Sequence, residues 1–244
     1  MDPSVRIFRT PYELAEKFAE EMVQMIKDAA DKKVPVSVAL SGGSTPELLF
    51  SVLGDHFSKS APWDFVNFFW GDERCVPPVS PESNFGMTFR SLFKKIKIPQ
   101  RNIHRIYGEH DPSHEAIRYS DLLSRSIPVR DGFPVFDLVL LGLGEDGHTA
   151  SIFPDRTELF HSDKICEVSL HPVSRQKRIT ITGRVINNAE RVRFLVTGSN
   201  KAEVIKRIIG REKSAVNLPA SLVVSSVGNL GWLLDSNAGS LLKD

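Results

Sequence analysis

The chain has 244 residues, 31 Lys and Arg against 30 Asp and Glu, and a formal net charge of +1. That length suits one large α/β domain or two small ones with a sizeable core, and the near-neutral balance excludes a general affinity for nucleic acid or an acidic surface, so any anion recognition must be local. Cys75 and Cys166 lie far apart in no metal-ligand spacing, the opening residues carry no apolar signal core, and no segment approaches membrane-spanning length; a cytoplasmic enzyme or small-molecule binder without disulfides is expected.

Apolar runs of strand length alternate with stretches of helical period. Thr10-Pro11-Tyr12-Glu13 reads as an N-cap, a first-turn proline and a capping-box glutamate. The helix it opens puts Leu14, Phe18, Met22, Met25 and Ala29 on one face. A buried strand over 34–40, a loop at SGGST and a helix over 46–57 follow. A strand over 65–70, a helix over 84–96, a short strand over 102–106 and a helix over 113–126 come next. Strands over 136–141, 165–170, 179–182 and 192–197, a helix over 199–209 and short closing elements at 222–225 and 232–235 complete the pattern. Strands interleaved with helices predict a doubly wound, mostly parallel sheet covered on both faces. Without repeats or linkers, residues 1–244 are expected to form a single domain, monomeric or a weak homodimer.

In such a sheet, ligands sit beyond the carboxyl ends of the strands. Four loops begin where an apolar run stops: SGGSTP (41–46), WGDERCVP (70–77), GLGEDGHTA (142–150) and TGSNK (197–201). SGGSTP enters its helix through two glycines, and free N–H groups there suit a phosphate or carboxylate. The plainer reading is a tight turn capped by Ser44 or Thr45. No Gly-Lys-Ser/Thr follows, so it is not a nucleotide P-loop.

The third loop contains Gly142-x-Gly144-x-x-Gly147, the pattern of a dinucleotide fingerprint. Glu145 and Asp146 would then lie against a pyrophosphate, which is electrostatically poor. The glycines better serve a sharp turn that presents Asp146 and His148 at the sheet edge, and a neutral imidazole there can act as a general base. Asp72, Glu73 and Arg74 leave the preceding strand, and an arginine fork suits phosphate or a developing oxyanion. Arg178 and Lys201 are further cationic candidates.

Other patterns carry little. His110 and His114 flank a proline and lack an HExxH context, so no metal is expected. Ser41 and Ser151 have no Gly-x-Ser-x-Gly elbow. Phe68, Phe69 and Phe93 look like core residues, and Lys94-Lys95-Ile96-Lys97 like a solvated helix end.

Taken together and in order, SGGSTP, WGDER, SNFGM (83–87), GLGEDGHTASIFP, RIT (178–180) and TGSNK resemble the 6-phosphogluconolactonases of the glucosamine-6-phosphate isomerase/6-phosphogluconolactonase family. The resemblance spans nearly the whole chain, with Ile152 where leucine is expected. It implies a Rossmann-like fold related to glucosamine-6-phosphate deaminase. It also implies hydrolysis of 6-phospho-D-glucono-1,5-lactone in the oxidative pentose phosphate pathway, without metal or organic cofactor. Carried over by position, His148 would be the general base. Asp146 and Asp72 would orient it or the substrate hydroxyls, and Arg74 would stabilise negative charge, with Asn84 assisting. Gly42, Gly43, Ser44 and Thr45 would cradle the phosphate, with Arg178 and Lys201 near it.

Two alternatives stay open at this point. A deaminase of the same family places a glutamate shortly after the histidine, whereas His148 to Pro154 contains no acid. A sugar-phosphate sensor normally comes with a DNA-binding helix-turn-helix, for which no N-terminal segment is expected here.

Overall fold

The computed structural model describes residues 4–242. Strand β1 (Val5–Phe8) and helix α1 (Pro11–Lys32) open the chain. They are followed by β2 (Val36–Leu40), α2 (Ser44–His56), β3 (Val66–Trp70), β4 (Asp72–Arg74) and α3 (Asn84–Thr88). Next come α4 (Pro112–Ser126), the short pair β5 (Val129–Arg130) and β6 (Phe133–Pro134), and β7 (Leu138–Leu141). Strands β8 (Cys166–Leu170) and β9 (Lys177–Ile181), helix α5 (Gly183–Asn188), β10 (Val192–Val196), α6 (Ala202–Ile209) and β11 (Leu230–Asp235) complete the order.

The main sheet runs β1-β11-β10-β7-β2-β3, with every pairing parallel. Its central strands β2 and β7 are buried along their whole length, as strands covered on two faces must be. From β2 the chain moves to β3 on one side; from β3 it crosses back to β7 on the other. The carboxyl ends of β2 and β7 therefore flank the topological switch point, where loops diverge and leave a crevice. The SGGST and GLGEDGH loops leave from these two strands.

A second sheet was not expected. Strands β4, β9 and β8 form an antiparallel trio, so the segments at 165–170 and 179–182 are strands outside the main sheet. Residues 72–74, expected as loop, are the strand that ties this trio to the end of β3. The extra strand β1 pairs with β11 at the far edge. Its burial does not alternate cleanly, which hides it from a period-two reading. Residues 102–106 make only an isolated bridge, Ile103 to Phe68. Residues 222–225 follow a 3-10 turn over Pro219–Leu222 rather than forming an element. The helix expected over 84–96 is α3 continued by a wide π turn over Phe89–Phe93.

Helix α1 shows how locally the sequence dictates structure. Thr10 Oγ1 accepts the Glu13 backbone N–H at 3.1 Å, as a cap should, but the Glu13 carboxylate accepts from Arg9 N rather than from Thr10 N. The box is therefore displaced by one residue. Leu14, Phe18, Met22 and Ala29 are buried as expected, while Ile26 is fully buried and Met25 sits at the margin of the core. Phe68, Phe69 and Phe93 are core residues. Among the described residues, no helix is long and apolar enough to cross a membrane.

Candidate active site

The loop after β7 is a closed turn. Gly147 N donates to Gly144 O at 3.0 Å and Gly144 N donates to His148 O at 2.9 Å. Inside it, Asp146 Oδ1 lies 2.6 Å from His148 Nδ1 and accepts His148 N at 3.1 Å. An ionised carboxylate can only accept, so Nδ1 carries the proton and the imidazole lone pair is at Nε2. A Cβ at Gly144 would overlap His148 Nδ1 and Asp146 Oδ1. The pair lies directly over that glycine, a steric reason for one position of the GxGxxG pattern that needs no pyrophosphate. The imidazole packs on Phe153, with ring centroids 4.9 Å apart, and remains 29% exposed. Burial pushes the Asp146 carboxyl up, but the bonds and charge from His148 outweigh it and hold the group below the usual range.

On the other side of the crevice, the start of α2 lacks a side-chain cap. Gly43, at φ 105°, is the N-cap residue. Thr45 Oγ1 is occupied elsewhere, 2.7 Å from Thr197 Oγ1. The capping role weighed for Ser44 or Thr45 is therefore not realised: no side chain caps the first turn, which has the helix dipole behind it. A Cβ at Gly42 would collide with the Asn84 carboxamide. Asn84 is thus pressed against this loop, its Nδ2 donating to Asp72 O at 2.9 Å and to Asp72 Oδ1 at 3.3 Å. The second carboxylate oxygen of Asp72 accepts from Ser151 Oγ at 2.6 Å. Asp72 consequently braces Asn84 and the His148 loop rather than bonding the imidazole.

Alternation along β4 sends Asp72 and Arg74 to one face and Glu73 to the other. Buried Glu73 accepts four hydrogen bonds, from Arg74 N, Ser83 Oγ, Asn84 N and Phe85 N, at 2.7–3.1 Å. Burial raises its pKa, partly offset by those amides. The residue holds the start of α3, and with it Asn84, against β4. The sequence names Glu73 beside Asp72 and Arg74 but gives it no role of its own, because three of its donors lie 10 to 12 residues farther on.

Arg74 and Arg178 are directly opposite each other across β4 and β9. Neither has an ion-pair partner among the described residues, and the Nε of each is buried without a hydrogen bond there. Arg74 is tethered by Nη1 to Glu82 O at 2.5 Å. Arg178 has the Phe153 ring beneath its guanidinium at 5.7 Å. Burial lowers the pKa of Arg178; the Asp72 carboxylate opposes this, and the neighbouring Arg74 charge adds to the lowering. Lys201 stands on the β10 side, 4.0 Å from Glu145.

Ser41, Gly42, Gly43, Asp72, Arg74, Asn84, Gly142, Leu143, Gly144, His148, Ala150, Arg178 and Lys201 line one cavity of about 200 Å³. Larger grooves of about 690 and 470 Å³ lie elsewhere, but neither is lined by an imidazole. Chemistry, rather than volume, marks the site. Of the residues singled out in sequence, Ser44, Thr45 and Asp146 do not line the cavity; Asp146 acts behind His148. Phe153, which supports the imidazole, has no role in the sequence analysis, and Ser151, set aside there as a nucleophile, is the buried support of Asp72.

Residues 9–232 match the family described as glucosamine-6-phosphate isomerases/6-phosphogluconolactonase. The chain belongs to this family. It is 41% identical to a 6-phosphogluconolactonase of Haemophilus influenzae over 236 residues, 96% of this chain and 98% of that one. A solved structure of 6-phosphogluconolactonase from Leishmania guyanensis superposes with a TM-score of 0.88 at 28% identity, covering 100% of both chains. A monomeric glucosamine-6-phosphate deaminase shares the fold at 22% identity and a TM-score of 0.81, covering 98% of this chain and 99% of that one. Family membership thus fixes a doubly wound architecture that serves both lactonase and deaminase, and the site must decide between them.

Proposed function

We propose that the chain hydrolyses 6-phospho-D-glucono-1,5-lactone to 6-phospho-D-gluconate, with His148 as general base. The supporting observation is the Asp146–His148 pair, with its lone pair at Nε2, on the wall of a cavity that holds three cations. A δ-lactone is an activated ester, so one base, a placed water and an electropositive wall suffice.

In this reading Nε2 takes a proton from water as its oxygen attacks C1, and the carbonyl electrons move onto the exocyclic oxygen. When the carbonyl re-forms, the C1–O5 bond breaks and O5 leaves with the proton from the imidazolium. The new carboxylic acid then ionises into solvent. Asp146 keeps the ring in the productive tautomer and stabilises the imidazolium between the two steps. Arg74, tethered to Glu82, is a fixed charge suited to an oxyanion that develops in place. Arg178, Lys201 and the free amides at the start of α2 hold the phosphate, whose binding energy is remote from the reacting carbon. Asp72, braced by Ser151 and Asn84, faces the sugar hydroxyls.

The deaminase alternative loses support at residues 149–153, where no carboxylate follows the histidine. Ser151 occupies this stretch and is bonded to Asp72. The test is proton release from freshly generated lactone, corrected for spontaneous hydrolysis, beside an ammonia assay with glucosamine 6-phosphate. Lactone turnover without ammonia is expected; the reverse would replace this reading with the deaminase, and neither activity would leave a sensor.

A further inference from the structure

One row of side chains crosses the antiparallel trio of strands. Arg74 on β4, Arg178 on β9 and Ser169 on β8 are directly opposite one another, so all three project from the same face with neighbouring Cβ atoms about 4.5–5.5 Å apart. Each carries a buried polar atom without a hydrogen-bond partner among the described residues: Arg74 Nε, Arg178 Nε and Ser169 Oγ. Only Trp70 Nε1, elsewhere in the core, shares that condition among them. Natural proteins hold few such atoms, and their gathering in one row asks for a physical reason.

The row has a direction. Arg74 and Arg178 line the cavity, whereas Ser169 does not and is 0% exposed. Phe153 covers this face: its ring lies under the Arg178 guanidinium and meets the ring of His171, just past the end of β8, edge-on at 5.2 Å. An aromatic floor lets a guanidinium slide, because stacking fixes its height but not its bearing. Arg74 is held by Glu82, but among the described residues no comparable hydrogen bond holds Arg178. An unpaired acceptor one strand away from an unpaired Nε–H is what such an arm lacks.

We infer that Ser169 is a positioning residue for Arg178. When an anion enters the cavity, Ser169 Oγ accepts the Arg178 Nε–H, directly or through one bound water. Both Nη groups are then left to grip two oxygens of the anion as a fork. The inference rests on the cavity being the phosphate site proposed above and adds a residue outside its wall.

The experiment compares Ser169→Ala, Ser169→Val and Ser169→Thr, the last two matched in volume and differing by the hydroxyl. Binding of inorganic phosphate and of 6-phosphogluconate is measured by calorimetry, with kcat and KM for the lactone and thermal melts with and without phosphate. Loss of one such bond should weaken both ligands about three- to tenfold, raise KM by the same factor and leave kcat within about twofold. Thr should bind as the wild type does. Because the hydroxyl has no partner without ligand, Ser169→Ala should melt no lower than wild type in phosphate-free buffer but gain less from added phosphate. In an Arg178→Ala background, removing the hydroxyl should have no further effect.

Unchanged phosphate binding in Ser169→Ala would overturn the inference, as would equal loss in the Arg178→Ala background or a fall in kcat at constant KM. A wild type that binds phosphate with this dependence but turns over no lactone would overturn the proposed function and leave Ser169 in its place. Active wild type with a silent Ser169 would do the opposite.

Discussion

A single oxygen of Asp146 holds His148 at two points, the ring Nδ1 at 2.6 Å and the backbone nitrogen at 3.1 Å. Orientation and tautomer of the imidazole are thus set by one atom. His148→Ala should lower kcat for the lactone by about 10²–10⁴ with little change in 6-phosphogluconate affinity. Asp146→Asn, which can present either an oxygen or an NH₂ to Nδ1, should lose a large part of the same factor. Initial rates of proton release decide it. A kcat for His148→Ala near the wild-type value would remove the proposed base.

The same contact predicts an acid-limb effect. Asp146 titrates below its ordinary value in the folded chain, so its contribution to stability is complete above the unfolded value of about 3.9 and fades as pH falls through the folded one. The melting-temperature gap between wild type and Asp146→Asn should shrink as pH falls below about 4. A gap that stays constant to pH 3 would contradict the assignment. Glu73 acts with the opposite sign, because burial raises it: its neutral form favours the fold at low pH, and that benefit is lost as pH climbs through the folded value.

Glu73 also carries a mechanical prediction. Four donors converge on its two oxygens, and Glu73→Gln would turn an NH₂ toward some of them. Hydrogen bonds to a buried charged group are worth roughly 1.5–3 kcal/mol each, so a loss of about 2 kcal/mol or more is expected in urea unfolding at neutral pH. Since the start of α3 carries Asn84, affinity for 6-phosphogluconate should fall in the folded variant as well. Wild-type stability in Glu73→Gln would mean the four bonds are dispensable.

Gly144→Ala tests the steric argument for the GxGxxG pattern. The added methyl would occupy the space of the His148 ring and the Asp146 carboxylate. Relieving such overlap typically costs about 1–3 kcal/mol, and here the movable partner is the proposed catalytic pair. Lactonase activity should drop almost as far as in His148→Ala, while the circular dichroism spectrum stays native. Full activity in this variant would show that the pair can relocate without loss.

What the sequence discloses about this site follows from what is local. The loops after β2 and β7 announce themselves because an apolar run stops at glycines and charges, whereas their place at the switch point emerges only with the strand order. His148 is legible for that reason. What stays hidden depends on register between distant strands. Strand β4 has three residues, too few for a period, so the face shared by Arg74, Arg178 and Ser169 emerges only when β8 and β9 are paired. Thr45 shows the converse: a residue typical of caps is claimed by Thr197, 152 positions away, and no local pattern signals that.

The three cations of the cavity divide by how firmly each is held. Arg74 is tethered and unpaired, so Arg74→Lys should lose mainly kcat, since a flexible ammonium cannot keep a fixed fork at the oxyanion. Arg178→Ala and Lys201→Ala should chiefly raise KM and weaken 6-phosphogluconate, about tenfold or more for each lost charge-assisted contact. Gluconate, which lacks the phosphate, serves as the control ligand. Arg178→Ala and Lys201→Ala should leave its weak binding unchanged, because the group they recognise is missing. If Arg74→Lys instead raises KM at constant kcat while Arg178→Ala lowers kcat at constant KM, the two arginines exchange roles, and the phosphate lies against β4 rather than β9.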